Sequence, residues 1–489
     1  MAAADVAFGA ALGILFGIFF ASIGINGFFI IGIGALCGIL WGVRRRLART
    51  FVFAFVLSLS LGALYYHFFL NLRALRENIP HGEATEFRGV VRSEPYRTEK
   101  TQQFLLSLQS PHAGVIRVVT KLVPEFAYGD FLELRDEIIE EAYSVKPSEE
   151  HVALFPDVSL LAHGRGFWLK EKLFALKGGV IETFRRTLPV DSAALLAGLT
   201  FGSRSDFSKE FKAQMAASGT SHLVALSGYN ITVLVLAAYA TLGSFLTRRT
   251  TFIATVFVII LFVLMVGGEA SVVRAAIMGF LALLAREAGR IYSFRNAVTF
   301  AGAGMALADP TLLAWNIGFQ LSFVSLLGIV LLLPALQILL KQFGFRAILP
   351  SPGRRPESFL GWKENVLTTL AAQLAVAPLL IFHFDQFSPT ALLANVLILQ
   401  LVPLTMALGF MTGAASFIFP GLGIMLAWFA HVLLLYERGV IVIFSHLAFP
   451  VRAVPGVAMM LIYYAALIGV IIYARRWKRK NDALTTSAS

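Results

Sequence analysis

Of 489 residues, 57% are hydrophobic and only 14% charged, which leaves too little polar surface for a soluble globular protein and marks an integral membrane protein. The net charge of +12 does not argue for nucleic-acid binding, because nineteen of the 41 basic residues sit in five short clusters between apolar runs, as membrane orientation demands. The single cysteine, Cys37, excludes an intrachain disulfide and a cysteine zinc cluster.

Three apolar runs open the chain, at Ala7 to Ile25, Gly27 to Val43 and Phe51 to Leu70. They approach or reach the roughly 18 to 20 residues that a helix needs to cross hydrocarbon. Asp5 precedes the first run and no basic segment does, so that run is expected to be retained rather than cleaved. Arg44, Arg45, Arg46 and Arg49 place the second loop inside, giving an inside N-terminus and an outside exit after the third run.

From about Pro80 to Gly164 the chain becomes charged and alternates apolar with polar residues. FRGVVRSE, QFLLSLQ, VIRVVTK and DFLELRDEIIEEAYS predict strands, with turns near Pro95, SPHAG and AYGD. Four or five strands in this length predict a small barrel of OB-like type. Counted through Arg165, nine basic against fourteen acidic residues give the stretch a net charge of −5. A scaffold or gating role outside the membrane therefore stands beside a DNA-binding one.

Gly166 to Leu188 sets Leu169, Leu173, Leu176, Val180 and Phe184 at helical spacing among Lys170, Lys172, Lys177, Arg185 and Arg186. Such a helix lies along the membrane interface, either as a connector anchored on Trp168 or as a basic lip to a path. Ser192 to Gly202 is apolar but too short to span, which predicts a re-entrant or interfacial piece. Asp206 to Ala217 predicts a short amphipathic helix leading into Ser218 to Ala237, SGTSHLVALSGYNITVLVLA. Its hydroxyls, imidazole and amide run directly into apolar sequence. A polar group unsatisfied in hydrocarbon costs several kcal/mol, so this cluster either lines a wet interior or bonds back to its own helix.

Nine further spans follow, at about 221 to 246, 250 to 267, 272 to 288, 294 to 308, 312 to 333, 366 to 384, 391 to 417, 422 to 444 and 456 to 474. Their alternation leaves every remaining basic cluster inside. These clusters are Arg248 with Arg249; Arg286, Arg290 and Arg295; Lys341, Arg346, Arg354, Arg355 and Lys363; and Arg475 to Lys480. The fold expected is a polytopic α-helical membrane protein of about 12 spans with an inserted small all-β OB-like extracytoplasmic domain. Its divisions are 1–75 (three helices), 76–165 (β domain), 166–194 (interfacial helix), 195–476 (about nine helices) and 477–489 (cytoplasmic polar tail).

The run from Leu195 to Leu236 resembles the competence domain of ComEC-type DNA-uptake proteins, with a Gly-containing apolar segment, an amphipathic helix, a Gly-Thr-Ser-His stretch and a Ser-Gly pair before a membrane helix. SVVRAAIMG (Ser271 to Gly279), DPTLLAWNIGFQLSFVSLLGI (Asp309 to Ile329) and TLAAQLAVAPLLIFHFDQFSPTALLANVL (Thr369 to Leu397) are similar to three further segments of that family in the same order. The resemblance implies a channel in the cytoplasmic membrane that passes one DNA strand inward during natural transformation. It implies single-stranded DNA as transported partner, contact with other competence proteins, and no cofactor. Larger members carry a metallo-β-lactamase-like domain whose His-x-His-x-Asp-His motif is absent from these residues, so a separate nuclease would degrade the other strand.

A polyanion needs a continuous aqueous path lined by hydroxyls, amides and a few cations. The candidates are Ser221, His222, Ser227, Asn230, Arg274, Asn316, Gln320, Ser322, Gln373 and Asn395, with helix breaks expected at Pro334, Pro378 and Pro403. Arg274, left over with Arg438 and Arg452 by the loop, interfacial and barrel assignments, either pairs with Glu269 or meets a phosphate. Gln320 and Asn395 serve equally as interhelical glue. A transporter of another anionic solute or polymer is the competing function. An intramembrane hydrolase is disfavoured, because His222 and Ser227 point about 140° apart on a straight helix and no HExxH or Gly-x-Ser-x-Gly motif accompanies them.

Overall fold

The computed structural model describes residues 3–25, 46–79, 85–98, 100–136, 138–140, 151–345, 362–384, 388–448 and 456–487. The expected span Gly27 to Val43 lies outside the described residues, as do Cys37, Arg346, Arg354, Arg355 and Arg452. Packing groups the chain into two units, Met1–Gly179 with Ser227–Phe319, and Val180–Leu226 with Gln320–Ser489. The units therefore interleave along the chain, whereas the expected divisions were consecutive.

In the first unit, α1 (Ala3–Ser22) and α2 (Arg46–Arg76) pack together. Both are apolar all round, as helices in lipid or a protein interior are. α2 outruns the predicted Phe51 to Leu70 at both ends, and Arg73 closes it by pairing with Glu77 at 2.7 Å.

The β domain is one eight-stranded sheet, against four or five strands expected. It comprises β1 (Thr85–Val91), β2 (Tyr96–Arg97), β3 (Thr101–Leu108), β4 (Val115–Lys121), β5 (Phe131–Asp136), β6 (Ile139–Glu140), β7 (His151–Leu154) and β8 (Asp157–Ala162). β2, β6 and β7 have two to four residues, too brief for alternation to reveal, and β8 is mostly exposed along its length instead of alternating. Alternate residues of β3, β4 and β5 turn inward, so that Phe104, Leu106, Ile116, Val118, Leu132 and Leu134 form a core with Phe87 and Val91 of β1. β4, β3, β1 and β5 pair in that spatial order, all antiparallel. β7 then pairs parallel with β4 at one edge, and β8 antiparallel with β5 at the other. Two residues separate β7 from β8, so the sheet is curled until its edges share one bent segment.

Four more helices complete the unit: α6 (Gly228–Gly243), α7 (Arg248–Val266), α8 (Ala270–Glu287) and α9 (Phe294–Ala308). Before them in sequence come α3 (Trp168–Thr187), α4 (Val190–Phe201) and α5 (Lys209–Ser218). α6, α7 and α8 pack mutually, α8 meets α9, and α9 meets α1, where Arg295 bonds Asp5 at 2.9 Å. Arg248 ties the start of α7 to the end of α8 through Glu287 at 3.1 Å and the Arg286 carbonyl. A short α10 (Leu312–Trp315) follows α9.

The second unit is built on α4, in which Ser192 to Phe201 are all buried. Around it lie α5, α14 (Val402–Ile418) and α15 (Pro420–His446), with α13 (Ala391–Leu399) against α14 and α15. α14 approaches α4 at Gly409, where an added Cβ would sit 2.7 Å from Thr200 Cγ2. α11 (Ile317–Gln342) and α12 (Trp362–Phe384) also approach closely, Gly328 touching Ala375. α16 (Val457–Ser487) runs on through the basic cluster and most of the expected tail.

Three expectations need correction. α11 starts at Ile317 rather than 312, because Asn316 is extended and its Oδ1 accepts from Phe319 N at 2.8 Å, capping the helix there. Pro334 and Pro378 lie inside continuous helices, as membrane helices tolerate where neighbours re-satisfy the freed groups. Only Pro403 marks a break, near the start of α14, which is bent by 49° from α13. Among the described residues, eight helices are long and apolar enough to cross a membrane, or up to nine if that bent pair is one span. The expected span 272 to 288 is the helix α8, but it carries Arg274, Arg286 and Glu287; α9 has only 15 residues.

Candidate functional site

The polar run Ser218 to Ala237 is divided between the two units at Leu226 and Ser227. On the second unit, Ser208 caps α5 by accepting from Phe211 N. Gly219 ends the helix at φ 70°, a left-handed conformation that glycine adopts without strain, with an added Cβ only 2.5 Å from Ala391 Cβ. Ser218 and Thr220 bond each other at 2.8 Å inside this turn, while Ser221 and His222 are exposed on a single 3₁₀ turn that follows. The span predicted from 221 is thus helical in α form only from Gly228.

On the first unit, Ser227 caps α6. Its Oγ donates to Asn230 Oδ1 at 3.1 Å and lies 3.4 Å from Asn230 N. Asn230 and Arg274 are both buried, the guanidinium reaching the first turn of α6. A Cβ on Gly228 would lie 2.6 Å from Arg274 Nη2, so a side chain there would displace the guanidinium. Helix dipole and free N–H groups make this end a place that favours anions and disfavours an isolated cation.

The other candidates lie on the second unit. Gln320 and Ser322 share the start of α11, Gln373 is half-buried on α12, and Asn395 is buried on α13 with no partner for its Oδ1 among the described residues. The structure brings Ser227, Asn230 and Arg274 together. It puts Gln320, Ser322, Gln373 and Asn395 on successive helices.

A denser polar centre was passed over in the sequence. Arg438 of α15 donates to Asp191 Oδ2 at 3.1 Å and to Ser192 Oγ at 3.2 Å at the start of α4, and lies over the Phe211 ring. Next to it, Glu437 is fully buried, its Oε1 2.7 Å from Thr405 Oγ1. Thr412 Oγ1, His431 Nδ1, Glu437 Oε2 and Arg438 Nε, like Asn395 Oδ1, lack hydrogen-bond partners among the described residues. Buried polar atoms in native proteins are almost always satisfied, and each orphan costs about 1–3 kcal/mol, so each of these groups calls for an account of its own, by water, a ligand or a proton. The signal available in sequence was Glu437-Arg438 inside an apolar run of membrane length.

Pro378 leaves a second signature. Lacking an N–H, it frees the Leu374 carbonyl one turn earlier, which a tyrosine of α16 takes, while the next tyrosine bonds the neighbouring carbonyl. Tyr463 donates to Leu374 O at 2.8 Å and Tyr464 to Ala375 O at 3.1 Å.

The basic residues of α3 are mostly committed to partners. Lys170 lies over the Tyr128 ring, and partial burial with nearby Arg92 pushes its ammonium below the usual lysine range. Lys177 is buried against Glu94 at 2.7 Å, Arg185 bonds Asp206, and Arg186 bonds Glu182 at 2.9 Å, which pulls the Glu182 carboxyl down. This favours the connector over a basic lip. Among the described residues, no group of three or more His, Cys, Asp or Glu is placed to hold a metal ion.

Residues 199–477, more than half of the chain, match the family model described as competence protein. Over 233 residues the chain is 28% identical to ComE operon protein 3 of Bacillus subtilis (strain 168). That alignment covers 47% of this chain and 27% of the relative's length. No solved structure matches the chain.

Proposed function

The chain belongs to the competence protein family, and from that premise we propose that it is a membrane channel for inward translocation of single-stranded DNA across the cytoplasmic membrane during natural transformation. The observation that carries the proposal is a set of hydrophilic side chains, buried Asn395, Thr405, Thr412 and Glu437 with half-buried Arg438, on membrane-length or bent apolar helices of the second unit. Lipid-facing helices have no use for such groups, and a hydrated conduit does. At the first unit, Arg274 beside the α6 N-terminus offers a phosphate two kinds of attraction, a cation and helix N–H groups.

The basic clusters support an arrangement with both termini in the cytoplasm and the β domain outside. The β domain is of OB type in this proposal. Its meander β1-β3-β4, with β5 beside β1 and a bent last strand bridging β4 and β5, supports that assignment. The channel acts on no covalent bond, consistent with a Ser227 hydroxyl engaged by Asn230. Its partners are single-stranded DNA and other competence proteins.

Labelled-DNA uptake in a strain lacking the protein tests the proposal. Loss of uptake supports it, and unchanged uptake assigns the chain to another anionic solute. Arg274→Ala should lower uptake about tenfold or more at unchanged membrane abundance, the loss expected for one charge-assisted phosphate contact, and unchanged uptake would return Arg274 to a structural role.

A further inference from the structure

We propose that Glu437 is a proton-binding site, loaded in the described arrangement and emptied only when the contact between α14 and α15 opens to water. The proposal stands on hydrogen-bond and charge accounting at a group fully shielded from solvent. It is independent of what the protein transports.

Thr405 Oγ1 lies 2.7 Å from Glu437 Oε1 and 3.2 Å from Leu401 O, one turn back in its own helix. A hydroxyl has one proton, so it cannot donate to both acceptors. With a proton on Glu437 the conflict disappears: the carboxylic acid donates to Thr405, and Thr405 donates to Leu401 O. Oε2 has no donor among the described residues, which a neutral carbonyl oxygen tolerates far better than an ionised carboxylate does.

The surrounding charges agree. Helices α4, α5, α13 and α14 pack against α15. α13 and α14 carry no titratable side chain. α4 supplies Asp191, whose carboxylate already holds the adjacent cation, Arg438. α5 carries Lys209 and Glu210, both exposed, and half-buried Lys212. On α15 itself, His431 lies about 120° round the helix from Glu437, and His446 lies about 14 Å further along. Arg438, the half-buried cation next to Glu437 in sequence, is thus paired with Asp191. An ionised Glu437 would be an uncompensated charge inside the unit, which proteins avoid by keeping the group neutral.

Release is a simple transfer. The O–H bond of the carboxyl breaks, its electron pair remains on the carboxylate, and water takes the proton as hydronium. Water reaches Oε2 only if α14 and α15 separate, so proton release and helix separation are linked. Each shifts the other by the same free energy.

Infrared difference spectroscopy on the full chain in lipid, wild type against Glu437→Gln, tests this. Exposed carboxyls are ionised at neutral pH, so a protonated-carboxyl carbonyl band present in wild type and lost in the variant supports the site. Its absence, with a carboxylate band lost instead, overturns it. As a second measurement, Thr405→Val removes the hydroxyl but should leave the protonated band, shifted by loss of its acceptor; an unshifted band would overturn the assignment of the bond. Glu437→Gln should fold normally, and wild-type stability should fall relative to the variant as pH rises, because unfolding releases a carboxyl free to ionise. Equal pH dependence of the two would count against the site.

Discussion

The two polar centres are made in different ways. At the α6 end of the first unit, Ser227 and Asn230 are three residues apart and satisfy each other within one helical turn, and Arg274 joins them from α8. In the second unit Asp191, Thr405, Glu437 and Arg438 come from three helices, separated by up to 247 residues along the chain, and Glu437 Oε2 and Arg438 Nε are left without partners among the described residues. A polar cluster in a membrane helix is therefore of two kinds. One closes on itself locally. The other exists only because the bundle assembles, and it retains unsatisfied capacity that water, protons or a ligand can use.

The contrast can be broken where the expected effect is largest. Arg438→Met removes the counter-charge of Asp191, a pair with side chains only 27% and 21% exposed. It should destabilise the protein by about 2–4 kcal/mol, read as thermal unfolding in detergent. Adding Asp191→Asn should recover much of the loss; strict additivity would show that the pair is not coupled. The matching change in α16, Tyr463→Phe, should cost about 1–2 kcal/mol by orphaning the Leu374 carbonyl of α12, and Tyr464→Phe should cost less because Ala375 O keeps its helical donor. Pro378→Ala restores an N–H toward Leu374 O and should shrink the Tyr463→Phe effect; an unchanged cost would detach the tyrosine from the proline. The smallest effect is expected at the locally closed centre. Ser227→Ala removes one cap and should cost about 1 kcal/mol, with Ser227→Asp near wild type. A loss from Ser227→Ala as large as that from Arg438→Met would erase the distinction between the centres.

Much of the architecture was legible because membrane helices and strands declare themselves by local pattern. Apolar runs of spanning length and the alternation in β3, β4 and β5 follow from one-dimensional periodicity. The two added halves of the last β segment were not legible, because β7 has only four residues and β8 is mostly exposed with no inward and outward alternation. Pro334 and Pro378 were misjudged as breaks for a related reason: a proline's effect on a membrane helix depends on which neighbour accepts or donates in place of the missing N–H. For Pro378 that neighbour is Tyr463, far along the chain.

The candidate site divides along the same line. The Ser-Gly-Tyr-Asn cap at Ser227 is a local motif with a local hydrogen bond, and sequence alone pointed to it. Glu437 stood out in sequence only as a charge inside an apolar run, since its bond to Thr405 on another helix and the pairing of neighbouring Arg438 with Asp191 are tertiary.

From the amino-acid order alone came the membrane character, the inserted β domain and the family, because hydrophobic length, strand alternation and ordered motifs are properties of contiguous residues. Tertiary structure alone decided which polar groups are satisfied and which are not. Satisfaction depends on distances of about 3 Å between side chains from remote segments, and no pattern within a single segment encodes them.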